Sequence, residues 1–127
     1  MPPYEGGDDF DPPAPVVHAT LRDPATGGVL SDVPLLIDTG ADVTLLPQNS
    51  IDALGVTPQA ETGCELSGFD GATTVSRIVR LELIFLDKTF RGDFALIEGD
   101  YGILGRNILN NLHLRFDGPR FTWDEVQ

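Results

Sequence analysis

Leu35-Leu36-Ile37-Asp38-Thr39-Gly40-Ala41-Asp42 decides the reading of this chain. Leu35, Leu36 and Ile37 form an unbroken apolar run, the pattern of a strand covered on both faces. Asp38 ends that run with a charge that apolar surroundings do not tolerate unpaired. Two residues later Gly40, lacking a Cβ, lets the backbone turn sharply and lets another chain approach closely. The stretch therefore presents one carboxylate at the end of a strand, on a loop.

Working outward, the flanking segments read as short strands separated by turns. Val17, Ala19 and Leu21 alternate with His18, Thr20 and Arg22, a half-buried strand. Asp23-Pro24-Ala25-Thr26-Gly27-Gly28 is turn chemistry, after which Val29 onward returns to the Asp38 strand. Val43 to Pro47 reads as a further strand. Asn49 or Ser50 is placed to cap a brief helix that Gly55 stops. Cys64 to Ser67 and Ala72 to Arg77 form two arms around Gly68-Phe69-Asp70-Gly71, and Ile78 to Leu86 extends the second arm. Val79, Leu81, Leu83 and Phe85 share one face of it. Phe90 to Ile97 supplies another strand, and Asn107 to Leu112 a short helix with Ile108, Leu109 and Leu112 on one face. His113 to Asp117 and Arg120 to Trp123 flank Gly118-Pro119 as a terminal hairpin. Many short strands with closely spaced turns indicate an all-β domain, a compact barrel, over residues 16–127. Residues 1–15, rich in Pro, Gly and Asp, read as an acidic disordered tail.

Composition excludes several function classes. At 127 residues, 41% hydrophobic and 22% charged, the chain fits one globular domain. A formal charge of −12 argues against a nucleic-acid partner and against an anionic membrane surface. No run reaches the roughly 18 apolar residues of a membrane span. Met1-Pro2-Pro3 leads into acidic residues without a basic and then apolar stretch, so no secretory signal is expected. The one cysteine, Cys64, excludes an internal disulfide and points to a reducing, cytoplasmic setting. As a lone thiol it reads more simply as a small buried filler than as a redox centre. His18 and His113 stand apart with no zinc-binding spacing, and Asp8, Asp9 and Asp11 lack calcium-loop spacing, so neither metal nor other cofactor is expected. Ser31, Ser50, Ser67 and Ser76 lack a nucleophile elbow.

Three places occur in a telling order: Leu36 to Pro47 with its Asp-Thr-Gly-Ala-Asp, the hairpin tipped by Gly68 to Gly71, and Gly102-Ile103-Leu104-Gly105-Arg106-Asn107-Ile108-Leu109. Together they resemble the retropepsin family, the homodimeric aspartic proteases of retroviruses and their bacterial and eukaryotic cellular relatives. The likeness spans roughly Val16 to Trp123. It implies a retropepsin-like acid-protease β barrel with a flap hairpin and one short C-terminal helix, working as an obligate homodimer. It implies that Asp38 is the catalytic aspartate, one from each subunit, with Thr39 and Gly40 completing the catalytic loop. Gly40, Ala41 and Asp42 would contact substrate, Gly68, Phe69, Asp70 and Gly71 would close over it, and Ile103 and Leu104 would wall its side pockets. Arg106 and Asn107 would give structural support, Arg106 by a buried pair with Asp42. Trp123 is the candidate for buried dimer interface. The expected activity is endopeptidase cleavage of an extended peptide or protein segment. The competing expectation is a non-catalytic dimeric module that keeps this fold to bind peptides or build an assembly.

Overall fold

The computed structural model describes residues 2–7, 9–67 and 73–126, with side chains left aside between 59 and 76. Among the described residues nine strands and two short helices follow one another along the chain. β1 (Val16–Arg22) pairs antiparallel with β2 (Val29–Ile37). β2 runs parallel to β7 (Gly102–Leu104), which meets β3 (Leu45–Pro47) in antiparallel fashion. β3 is parallel to β6 (Lys88–Ile97), and β6 is antiparallel to the long β5 (Thr73–Phe85). β5 then pairs with β1 through Thr20↔Ile84, Leu21↔Leu83 and Arg22↔Glu82, closing a six-stranded barrel. Closure removes the free edges that an open sheet would leave. β4 (Gln59–Ser67) stands outside the ring, attached to β5 alone.

The alternating residues of β1 and β5 fill the interior as their pattern predicts. Val17, Ala19, Leu21, Val79, Leu81, Leu83 and Phe85 are all buried, joined by Leu35, Leu46, Ile51, Phe94 and Ile108. The Leu35–Ile37 run departs from expectation: Leu35 and Ile37 are buried, but Leu36 is only half-buried. The strand alternates as a barrel wall does, with one face inward, and is not sandwiched between two layers. Helix α1 (Gln48–Leu54) begins after Pro47 with no side-chain cap, so Asn49 and Ser50 lie inside it. Gly55 ends it in the left-handed conformation, φ 82°, its N–H bonding Ile51 and Asp52 carbonyls.

Helix α2 (Arg106–Leu109) starts one residue earlier than the pattern predicts and is shorter. Asn111 and Leu112 continue it as hydrogen-bonded turns, which keeps Leu109 and Leu112 against the core beside buried Ile108. The terminal hairpin pairs β8 (Leu114–Asp117) with β9 (Thr122–Glu125). Trp123, expected at a dimer interface, is instead 3% exposed and packs on Phe85 with ring centroids 6.0 Å apart. An aromatic that completes its own core has no area left for a partner.

Several described residues of the segment before β1, read from composition as disordered, have backbone or ring partners. Pro3 bridges Thr122, Tyr4 N–H bonds the Phe121 carbonyl at 2.6 Å, and Glu5 and Ala14 exchange both backbone bonds at 2.8 Å. Tyr4 lies against Phe121, and Phe10 meets Tyr101 edge-on at 5.0 Å. Composition counts too few apolar residues here for an independent core. It does not register that β9 offers an unpaired edge on which a short extended segment can dock. Among the described residues no helix is long and apolar enough to cross a membrane.

Candidate active site

Asp38 stands where two parallel strands end side by side. Ile37 closes β2 opposite Leu104, the last residue of β7, and the Asp38 N–H bonds the Leu104 carbonyl at 3.1 Å. The Asp38 side chain is half-buried at the barrel's end, between buried Ile37 and exposed Thr39. Its Oδ1 accepts the Gly40 N–H at 2.8 Å, and its carbonyl accepts the Ala41 N–H at 3.1 Å. Its other carboxylate oxygen accepts no hydrogen bond from the described residues. A Cβ on Gly40 would lie 3.1 Å from Asp38 Oδ1, so glycine keeps the carboxylate uncrowded.

Residues 39–44 are held by the start of α2. The Arg106 N–H bonds the Ala41 carbonyl at 2.9 Å, and its guanidinium bonds the Thr39 carbonyl at 2.7 Å and the Asp42 carboxylate. The Asp42–Arg106 pair was expected to be buried. Asp42 is 83% and Arg106 42% exposed, so the pair is a surface clamp on the loop in this single chain. Its Thr39 contact fixes backbone, which a planar guanidinium does well because its donors diverge at set angles.

Beneath the loop the chain passes itself at backbone contact. A Cβ at residue 105 would lie 2.3 Å from the Val43 carbonyl oxygen and 2.5 Å from its carbon, so only glycine lets α2 begin there. Thr44, 1% exposed, stitches the crossing: its hydroxyl donates to Asn107 Oδ1 at 2.7 Å and accepts the buried Gly105 N–H at 3.0 Å. Asn107 thus has a direct partner in the loop. Thr44 is the member that sequence reasoning missed.

The structure brings Asp38, Thr39, Gly40, Ala41, Asp42, Arg106 and Asn107 together at one end of the barrel. It separates Leu104 from them in role. Leu104 has no exposed surface and belongs to the core, so it cannot wall a pocket. Ile103, its neighbour on the alternate face, is half-buried. Gly68, Phe69, Asp70 and Gly71 lie outside the described residues. Their flanking arms pair as a hairpin, Leu66↔Thr74 and Ser67↔Thr73. Among the described residues no group of three or more His, Cys, Asp or Glu is arranged to hold a metal ion.

The family described as Aspartyl protease matches residues 19–108, from β1 through the start of α2. By sequence, no curated protein matches the chain. By structure, it is similar to the EIAV protease complexed with the inhibitor HBY-793, at TM-score 0.60 and 19% identity over 77% of this chain and 86% of that one. It is also similar to the retroviral protease-like domain of Ddi1 from Leishmania major, at TM-score 0.55 and 13% identity over 90% and 89% of the two chains. At these identities the likeness concerns the fold: both are retropepsin-like, and so is this barrel.

Proposed function

The chain belongs to the aspartyl protease family, and we propose that it is an aspartic endopeptidase active as a homodimer. The observation that carries this reading is the single Asp38 loop per chain. It presents a carboxylate anchored through one oxygen by Gly40, with the other oxygen left without a partner among the described residues. One ionised carboxylate can take a proton from water but has no proton of its own to give to the scissile carbonyl. A second copy of Asp38, brought across a two-fold axis, supplies the missing half.

Two carboxylates side by side cannot both ionise readily, so they share one proton, the arrangement by which aspartic proteases work. The ionised member takes a proton from water held between them while the protonated member polarises the scissile carbonyl. The roles reverse as the amine leaves, without a covalent intermediate. Thr39 joins the two loops, Gly40 and Asp42 bond the substrate backbone, and Ala41 and Ile103 line side pockets. The hairpin tip, Gly68 to Gly71, closes over an extended peptide, which lies as an added strand and binds with little dependence on sequence.

The test compares the protein with Asp38→Asn on a mixed peptide library from about pH 3 to about pH 7, with cleavage expected on the acid side, where the pair shares a proton. Cleavage by the unmodified protein alone supports the reading. Absence of cleavage by either, with dimers verified, would leave a peptide-binding module of the same fold.

A further inference from the structure

The outer face of the barrel carries a cationic row that the Asp38 site does not use. Arg22 on β1, Glu82 on β5 and Arg91 on β6 lie directly opposite one another across three adjacent strands. The Glu82 side chain is 4% exposed and both its oxygens are taken, by Arg22 at 2.5 Å and by Arg91 Nε at 2.5 Å. On the next row Arg80 pairs with Asp93 at 3.1 Å. Three of the eight Lys and Arg residues of a chain with 20 Asp and Glu therefore meet on one patch. The patch is concave. A cleft of about 590 Å³ is lined by Arg22, Glu82, Ile84, Thr89 and Arg91. A second, of about 430 Å³, shares Arg22, Glu82 and Arg91 and adds Arg80 and Gly92.

We infer that this trough is a docking site for an acidic peptide segment, whose carboxylates pair with Arg22 and Arg91. Each guanidinium has five N–H donors, and Glu82 engages one on each. The other donors of both have no partner among the described residues. Glu82 acts as the buried post that holds two mutually repelling cations in place and aims their free edges outward. Hydrogen bonds from Arg22 and Arg91 keep its carboxyl below the usual carboxylate range, so the post stays ionised. Two clefts that join at the arginines form an elongated trough, which suits an extended segment better than a lone ion. Ile84 offers an apolar wall beside the charges.

The trough lies away from Asp38. Arg22 pairs with Val29 at the end of the β1–β2 ladder opposite Ile37, roughly 25 Å along the strands at ~3.3 Å per residue. It therefore does not rest on the catalytic reading. The net charge of −12 repels acidic peptides in general, so any affinity for one must be local.

The experiment titrates a fluorescently labelled pentaglutamate peptide into the full chain at neutral pH and low salt. Saturable binding is expected, weakened by added salt and by about fivefold or more in Arg91→Ala, with Arg91→Lys between the two. Arg91 is 80% exposed and Arg22 still pairs with Glu82 when Arg91 is truncated; circular dichroism and a urea midpoint for each variant separate lost binding from lost fold. Arg120→Ala, which removes the same charge from the Gly118–Pro119 turn, is expected to leave affinity unchanged. Absence of binding, or equal loss in Arg91→Ala and Arg120→Ala, would overturn the proposal. Full competition by an equal concentration of inorganic phosphate would overturn the peptide assignment, because a lone ion would then suffice.

Discussion

Replacing Thr44 with valine tests how the Asp38 loop is tied to α2. The side chain is 1% exposed, and valine fills nearly the same space, so the change removes little except the hydroxyl. Two bonds go with it: the one given to Asn107 at 2.7 Å and the one received from Gly105 N–H at 3.0 Å. Asn107 is exposed and recovers a partner from water, so its share of the loss is small. Gly105 is buried and cannot, and a buried N–H left unpaired costs about 1–3 kcal/mol. The expected destabilisation is therefore about 2 kcal/mol, a fall of roughly 8 °C in Tm for a chain of this length. Urea unfolding of the parent, Thr44→Val and Thr44→Ser at one fixed protein concentration measures it. Thr44→Ser keeps the hydroxyl and should retain most of the stability. A Thr44→Val unfolding free energy within about 0.5 kcal/mol of the parent, or serine falling as far as valine, would show that the two bonds do not tie the loop to α2.

Two further outcomes follow from the geometry. Gly105→Ala drives a methyl into the Val43 backbone, which cannot rotate away, so it should cost about 3 kcal/mol or more in the same urea assay; a loss under about 1 kcal/mol would show that the crossing yields. Tyr101 donates to Asp9 at 2.7 Å, and that bond pushes its phenol up to about 12. Because the folded pKa is raised, the stability it lends is complete below the ordinary tyrosine pKa of about 10 and is lost as pH rises towards the folded value. Absorbance at 295 nm should then show one late-titrating tyrosine that Tyr101→Phe abolishes; two tyrosines titrating together near their ordinary value would contradict it.

How much of this was legible in the sequence depended on how far apart the partners lie. The Asp38 loop reads locally, because an apolar run, a charge and a glycine within six residues define it. Strand faces such as Val79 to Phe85 read equally well, since a period of two is all that burial on one side requires. Gly105 could be flagged by its place in Ile103-Leu104-Gly105-Arg106, but not what it touches. Thr44 was invisible: its partners are 61 and 63 residues away, and a threonine between Val43 and Leu45 looks like any strand residue. Trp123 does not read locally either, because large aromatics suit cores and interfaces alike. The backbone bonds of Tyr4 and Glu5 depend on neighbours that the composition of the N-terminal segment does not name. Leu104 shows the limit of family resemblance, which marks a motif without separating the residue facing the core from its neighbour facing out. The Asp42–Arg106 pair shows another: complementary charges predict the contact but not its burial.

On the proposed reading each polypeptide carries half an active centre, which a mixing experiment decides: Asp38→Asn protein is added to a constant amount of the parent under conditions where subunits exchange. If two copies of Asp38 are needed, random pairing into symmetric dimers should lower peptide cleavage to about one half at equal amounts and to about one tenth at ninefold excess. Cleavage that stays constant at every ratio would mean that one chain suffices, and would contradict the account.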